Sequence, residues 1–228
     1  MLRIDHDATH RGFEILFYVM IVNLLITSLD IHGQWNIVLS QVTTTLIFLS
    51  AMYLVSHSKR WLLILGFTTL PAVVNNWLLE LLDLNWLVTI NNLLFVLSHV
   101  TVTVFLVGAL AHSTRVNKPT IYAAMCVYLM IAQTFTYLYL SVEAAMPGSF
   151  SFMVDDNGLV VEESYRIIKQ TLEYFSYVTL TTLGFGDIAP VRSFARALVT
   201  LEAVMGQLYL TIVLARLVAV YLKESEQN

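Results

Sequence analysis

Polarity changes along this chain in long blocks. Six apolar stretches, at about Phe13–Leu29, Asn36–Ser56, Trp61–Leu82, Trp86–Ala111, Thr120–Ser141 and Phe194–Leu222, are divided by short segments that hold most of the charged residues. About 20 residues of helix cross the hydrocarbon core of a bilayer, and each block is near or above that length. A shorter segment, Tyr165–Leu180, leads towards the last block. It lacks Gly and Pro and is predicted to form a helix of about four turns. Ser164 stands where it can cap that helix, although Glu173 is too far along to complete a capping box. The pattern predicts an all-α integral membrane protein.

Composition agrees with that class. The 228 residues are 57% apolar and 12% charged, against about a quarter charged in soluble domains. The net charge of −4 gives no reason to expect a nucleic-acid partner. Basic residues fall on alternate sides of the blocks: Arg3 and Arg11, then Lys59 and Arg60, then Arg115 and Lys118, then Lys223. The intervening segments carry Asp30 and His32, then Asp83, then Asp155, Asp156, Glu162 and Glu163. Positive charge on every second side predicts a multi-pass protein of the cell membrane with both termini in the cytoplasm.

The first block reads as a retained span. Asp5, Asp7 and Glu14 and the lack of a small-residue cleavage pattern argue against a signal peptide. The chain thus divides into a cytoplasmic N-terminus (1–12), a four-helix transmembrane unit (13–111), a second transmembrane unit (120–222) and a short cytoplasmic tail (223–228). No soluble domain is expected. The longest polar loop, Glu143–Glu163, holds the turn signals Pro147-Gly148 and Asn157-Gly158 and reads as an extracellular turret. The lone Cys126 allows no intrachain disulfide and reads as a small packed side chain.

Between Tyr165–Leu180 and the last block stands Thr181-Thr182-Leu183-Gly184-Phe185-Gly186-Asp187. Glycine tolerates backbone angles that a Cβ forbids, so two glycines flanking one aromatic let consecutive carbonyls turn the same way. A row of aligned carbonyls can replace the water shell of a bare cation. A helix dipping from outside to mid-membrane ahead of that row would aim its negative dipole end at the same point. Backbone at that depth is tolerated where it is buried in protein or lines water. The run resembles the Thr-Val-Gly-Tyr-Gly-Asp filter signature of the potassium channel family, with Leu183 for Val and Phe185 for Tyr. The resemblance extends over about Thr120–Tyr221.

The resemblance implies six transmembrane helices, with a re-entrant pore helix and a selectivity-filter loop between spans five and six. It also implies a homotetramer, because one filter strand supplies a quarter of the carbonyl ring. K+ would be held by the carbonyls of Thr182, Leu183, Gly184 and Phe185, with the Thr182 hydroxyl completing the innermost site. Gly186 and Asp187 would close the outer mouth. Tyr174 and Phe175 stand where the family has a Trp pair, and with Val178 and Thr181 they would support the filter from behind. Some bacterial channels place at Val178 a glutamate bonded to the filter aspartate; that acid pair is absent here. Gly206, twenty residues after Gly186, stands where the inner helix of the family commonly has its gating hinge. Packing of that glycine against the pore helix is the alternative. Phe185 lacks the hydroxyl that tethers the tyrosine, a loss of about 0.5–1.5 kcal/mol, so a softer filter with retained selectivity is expected. No cofactor is implied beyond K+ as the permeant ion, and no enzymatic activity.

The same layout occurs in voltage-gated channels, whose fourth span carries Arg or Lys at every third residue. Trp86–Ala111 has neither. One charge crossing 100 mV is worth about 2.3 kcal/mol, so steep voltage gating through this span is not expected. His99 reads as a neutral histidine bonded to a neighbouring helix in preference to a pH sensor. Asn75, Asn76, Asn91 and Asn92 read as interhelical glue, and Arg216 as a side chain that snorkels or pairs locally. His6 and His10 read as a solvated tail in preference to a metal pair. The competing functions are a weakly selective cation channel, a potassium transporter, and a non-conducting or regulatory channel subunit. The intact Gly184-Phe185-Gly186 favours a selective pore; transporters of this kind carry four filter-like loops, and this chain has one. No motif specifies the gating stimulus.

Overall fold

All six apolar blocks are helices. The computed structural model describes residues 6–29, 34–56, 58–81, 85–111, 117–152 and 165–225. The blocks form α1 (His6–Ser28), α2 (Gln34–Val55), α3 (Lys59–Leu81), α4 (Asn85–Ala111), α5 (Lys118–Ala145) and α7 (Ser193–Ser225). The shorter segment forms α6 (Tyr165–Leu180), with the bounds read from the sequence. Among the described residues six helices are long and apolar enough to cross a membrane, and α6 is not one of them. Several ends run past the apolar blocks, because hydropathy marks the hydrocarbon while a helix continues to its cap. At α5 the cap is Asn117, whose side chain accepts from Thr120 N at 3.1 Å. Pro119 sits in the first turn, where its missing N–H costs nothing. Pro71 is accommodated inside α3 without ending it.

After α5 the chain turns at Pro147-Gly148, with Gly148 at φ 76°. The Glu143 carboxylate accepts from the N–H groups of Gly148, Ser149 and Phe150 at 2.7, 2.9 and 3.1 Å, which fixes that turn. Next comes a feature that the sequence pattern does not announce. Strand β1 (Phe150–Phe152) pairs antiparallel with β2 (Ile188–Pro190), placing Phe150 opposite Pro190 and Phe152 opposite Ile188. Three residues per strand are too few for alternation to register. The turret beyond Phe152, the Ser164 cap and the loop charges Arg3, Asp5, Asp30, His32, Asp83, Arg115, Asp155, Asp156, Glu162 and Glu163 lie outside the described residues, as do the side chains of His6, Asp7, His10 and Lys223.

Helix α5 is the pivot. Helices α1 and α4 pack against it, as do α6 and α7; α2 packs on α1 and α3, and α3 on α4. The four-helix unit α1–α4 therefore rests on α5 and α6 of its own chain. An aromatic cluster fills that junction, with Phe95 stacked on Tyr137 at 4.6 Å and Phe48 edge-on to His99 at 5.1 Å. Burial falls steeply across the molecule: 61% of the α5 span is buried but only 11% of Ser193–Arg216. Helix α7 leaves Phe194, Leu201, Leu208, Ile212 and Leu214 uncovered.

Candidate functional site

The seven residues after α6 take an unusual backbone path. Hydrogen bonds from Thr181 N to Tyr177 O, Thr182 N to Thr179 O and Leu183 N to Val178 O are each 3.0 Å, and Gly184 N reaches Val178 O at 3.4 Å. These bonds satisfy the carbonyls that end a helix. A trans peptide points its C=O opposite to its N–H, and the described residues contain no cis bonds. The carbonyls of Thr182 and Leu183 are thereby directed away from α6. Further along, φ is positive at every second residue: 61° at Thr182, 59° at Gly184 and 81° at Gly186. Among the described residues the carbonyls of Thr182, Leu183, Gly184 and Phe185 accept no hydrogen bond. All four residues are exposed on the single chain.

The supporting side chains divide by side of α6. Tyr174 lies against the loop, its ring 6.4 Å from that of Phe185 and nearly parallel to it. Phe175 is buried on another side, 5.6 Å from Tyr139 and 5.8 Å from Phe150. Adjacent helical residues are about 100° apart, so the two rings cannot share a face. Val178 is buried and offers its carbonyl to two loop N–H groups. The Thr181 hydroxyl bonds back to Tyr177 O at 2.7 Å. Asp187 Oδ1 accepts from the following Ile188 N at 3.1 Å, and the β1–β2 ribbon holds the chain immediately beyond.

Gly206 packs against the end of α6. A Cβ built there would lie 2.5 Å from the Leu180 carbonyl oxygen and 2.9 Å from Leu180 Cδ1. The Tyr128 hydroxyl donates to that same carbonyl at 3.1 Å. Helix α7 continues unbroken through Gly206. One turn earlier lies Glu202, fully buried, with Tyr139 of α5 donating to Oε2 and Ser176 of α6 beside Oε1. Glu202 belongs to no sequence motif, although an acid inside an apolar span is a functional signal in its own right.

A second polar set joins the four-helix unit to α5 and α6. His99 Nδ1 lies 2.7 Å from Phe95 O and Nε2 3.2 Å from Gln133 Oε1. Gln133 donates to Asn23 at 3.1 Å, and Asn23 to Thr43 at 2.8 Å, so four helices meet in one chain of side chains. Thr27 of α1 donates to the buried Glu173 of α6 at 3.2 Å. Lys169 stands over the Tyr137 ring at 5.5 Å, a cation–π distance. Asn75 donates to Asn91 at 3.3 Å between α3 and α4, and Arg216 of α7 donates to Ala111 O, the last residue of α4, at 2.6 Å. Cys126 is buried with its thiol 3.7 Å from Phe13 O.

Residues 169–223 match the model of a family described as ion channel. The match takes in most of α6, the loop, β2 and nearly all of α7. No curated protein and no solved structure matches the chain. Together with six helices long enough to span a membrane, the match supports a membrane protein that transports ions.

Proposed function

We propose that the chain is one subunit of a homotetrameric, potassium-selective channel of the cell membrane, conducting K+ passively with both termini in the cytoplasm. The observation that carries this reading is the backbone of Thr182–Gly186. Positive φ recurs at every second residue, the N–H groups of Thr181–Gly184 turn back onto α6, and the carbonyls of Thr182–Phe185 find no donor among the described residues. Carbonyl oxygens in such a row suit a dehydrated monovalent cation. The match to an ion-channel family over the same residues supports the reading.

In this scheme α6 is the re-entrant pore helix, and its C-terminal end at Leu180 presents the negative end of a helix dipole to the ions. Thr182, Leu183, Gly184 and Phe185 form the ion sites, and Gly186 and Asp187 the outer mouth. Tyr174 braces Phe185 by stacking, while Val178 and Thr181 hold the loop on α6. Helix α7 lines the pore. Its uncovered apolar side chains then meet neighbouring subunits, which accounts for the steep fall in burial from α5 to α7. Gly206 lets α7 approach α6 closely and is the proposed site of any bend in α7.

The test uses purified protein in liposomes holding a K+ gradient. The expected result is a K+ flux blocked by barium and lost in Gly184→Ala, whose assembly is measured in parallel by native mass spectrometry. Absence of flux from well-assembled wild type, or equal flux from the variant, would overturn the reading.

A further inference from the structure

The surroundings of Glu202 contain more short oxygen contacts than an ionised carboxylate can satisfy. Glu202, Ser176 and Tyr139 are all fully buried. Ser176 Oγ lies 2.7 Å from the Ala132 carbonyl oxygen and 2.5 Å from Glu202 Oε1. Two oxygens at such distances need a proton between them. A serine hydroxyl brings one proton, a backbone carbonyl none and a carboxylate none. The line Ala132 O, Ser176 Oγ, Glu202 Oε1 therefore requires two protons, and serine supplies one. Tyr139 spends its own on Glu202 Oε2. Placing a carboxyl proton on Oε2 instead would leave one serine contact bare.

We infer that Glu202 is held as a neutral carboxylic acid that donates from Oε1 to Ser176, that Ser176 donates to Ala132 O, and that Tyr139 donates to Oε2. Every proton then has one acceptor and every short contact one proton. Among the described residues no cation stands beside Glu202. The titratable groups facing it from packed elements are Tyr139 and Tyr128, both on α5, and α6 contributes the Ser176 hydroxyl. An ionised carboxylate there would be buried and unpaired, an arrangement that proteins avoid at high cost.

The consequence deepens the channel reading and rests on it. Ser176 lies one turn before Leu180, and the loop hangs by its N–H groups on the carbonyls of residues 177–179. Glu202 thus acts as a positioning residue, clamping α7 to the pore helix and to α5 one turn before the Gly206 contact. Loss of its proton leaves a bare charge against Ser176 and frees the pore helix to shift. Conduction is then lost on the alkaline side.

Difference infrared spectroscopy of the assembled full chain in lipid, wild type against Glu202→Gln, tests the protonation state without reference to flux. A protonated-carboxyl band at neutral pH, absent from the variant, is expected; a carboxylate band in its place overturns the inference. Glutamine can donate to Ser176 and accept from Tyr139, so the variant is expected to assemble and conduct. Should it not assemble, Glu202→Asp keeps an acid and must shift the same band; an unmoved band overturns the inference. The functional arm is K+ flux against pH: loss at alkaline pH in wild type and a flat profile in Glu202→Gln. Coincident profiles overturn the positioning role. A wild type that shows the band but no flux at any pH overturns the channel reading and leaves the acid assignment standing.

Discussion

Thr182 is held at φ 61°, a left-handed value that β-branched side chains seldom adopt, and Gly184 and Gly186 share the sign two and four residues on. Strain of this kind persists where the surroundings over-determine it, here through the four N–H bonds to the end of α6. At Gly184 an added methyl would meet nothing within 4 Å. The cost of Gly184→Ala is therefore conformational, about 1–2 kcal/mol, and assembly should survive while ion flux does not. Gly206 is the opposite case. There the methyl meets backbone at 2.5 Å, so Gly206→Ala should lower the stability of the assembled protein by about 1–3 kcal/mol, read as a drop in thermal midpoint. Gly108→Ala is the control, since an added Cβ in α4 meets nothing within 4 Å and the helix gains. If both alanines left the midpoint unchanged, the close contact between α7 and Leu180 would be refuted.

Among the elements, α5 makes more connections than any other, and two of its polar side chains make separable predictions. Tyr128→Phe removes one bond to Leu180 O and should cost about 0.5–1.5 kcal/mol. Gln133→Leu strands His99 on one side and Asn23 on the other, both buried, and should cost about 1–3 kcal/mol. Thermal unfolding of the two variants in the same detergent ranks them, and a smaller loss for Gln133→Leu would contradict this account of the network. The elements were largely legible in the sequence. Span length follows from the bilayer, and the loop announces itself because its glycines are needed at positive φ. What was not legible depends on direction. Tyr174 and Phe175 look like one aromatic pair in sequence, yet the helical turn between them sends one to the loop and the other to Tyr139 and Phe150. Glu202 was visible as a lone acid in an apolar span, but its partners lie 26 and 63 residues away. The β1–β2 ribbon has too few residues to carry a pattern.

For the whole molecule, the four-helix unit lies on its own chain's α5 and α6, with no Arg or Lys in α4 and with Arg216 of α7 bonded to the last carbonyl of α4. A cation at a helix C-terminus is worth about 0.3–1 kcal/mol, so Arg216 ties the end of α4 to α7 without supplying a voltage sensor. The uncovered apolar side of α7 should be closed by other subunits. Native mass spectrometry is expected to give a tetramer, and Leu208→Glu, on that side, to shift it towards monomer. A wild-type monomer would refute the fourfold pore. Selectivity for potassium is read from the reversal potential of the reconstituted protein in a planar bilayer with K+ on one side and Na+ on the other. The expected reversal potential is displaced strongly towards the potassium equilibrium value. A reversal potential near zero, with equal permeation of the two ions, would contradict it.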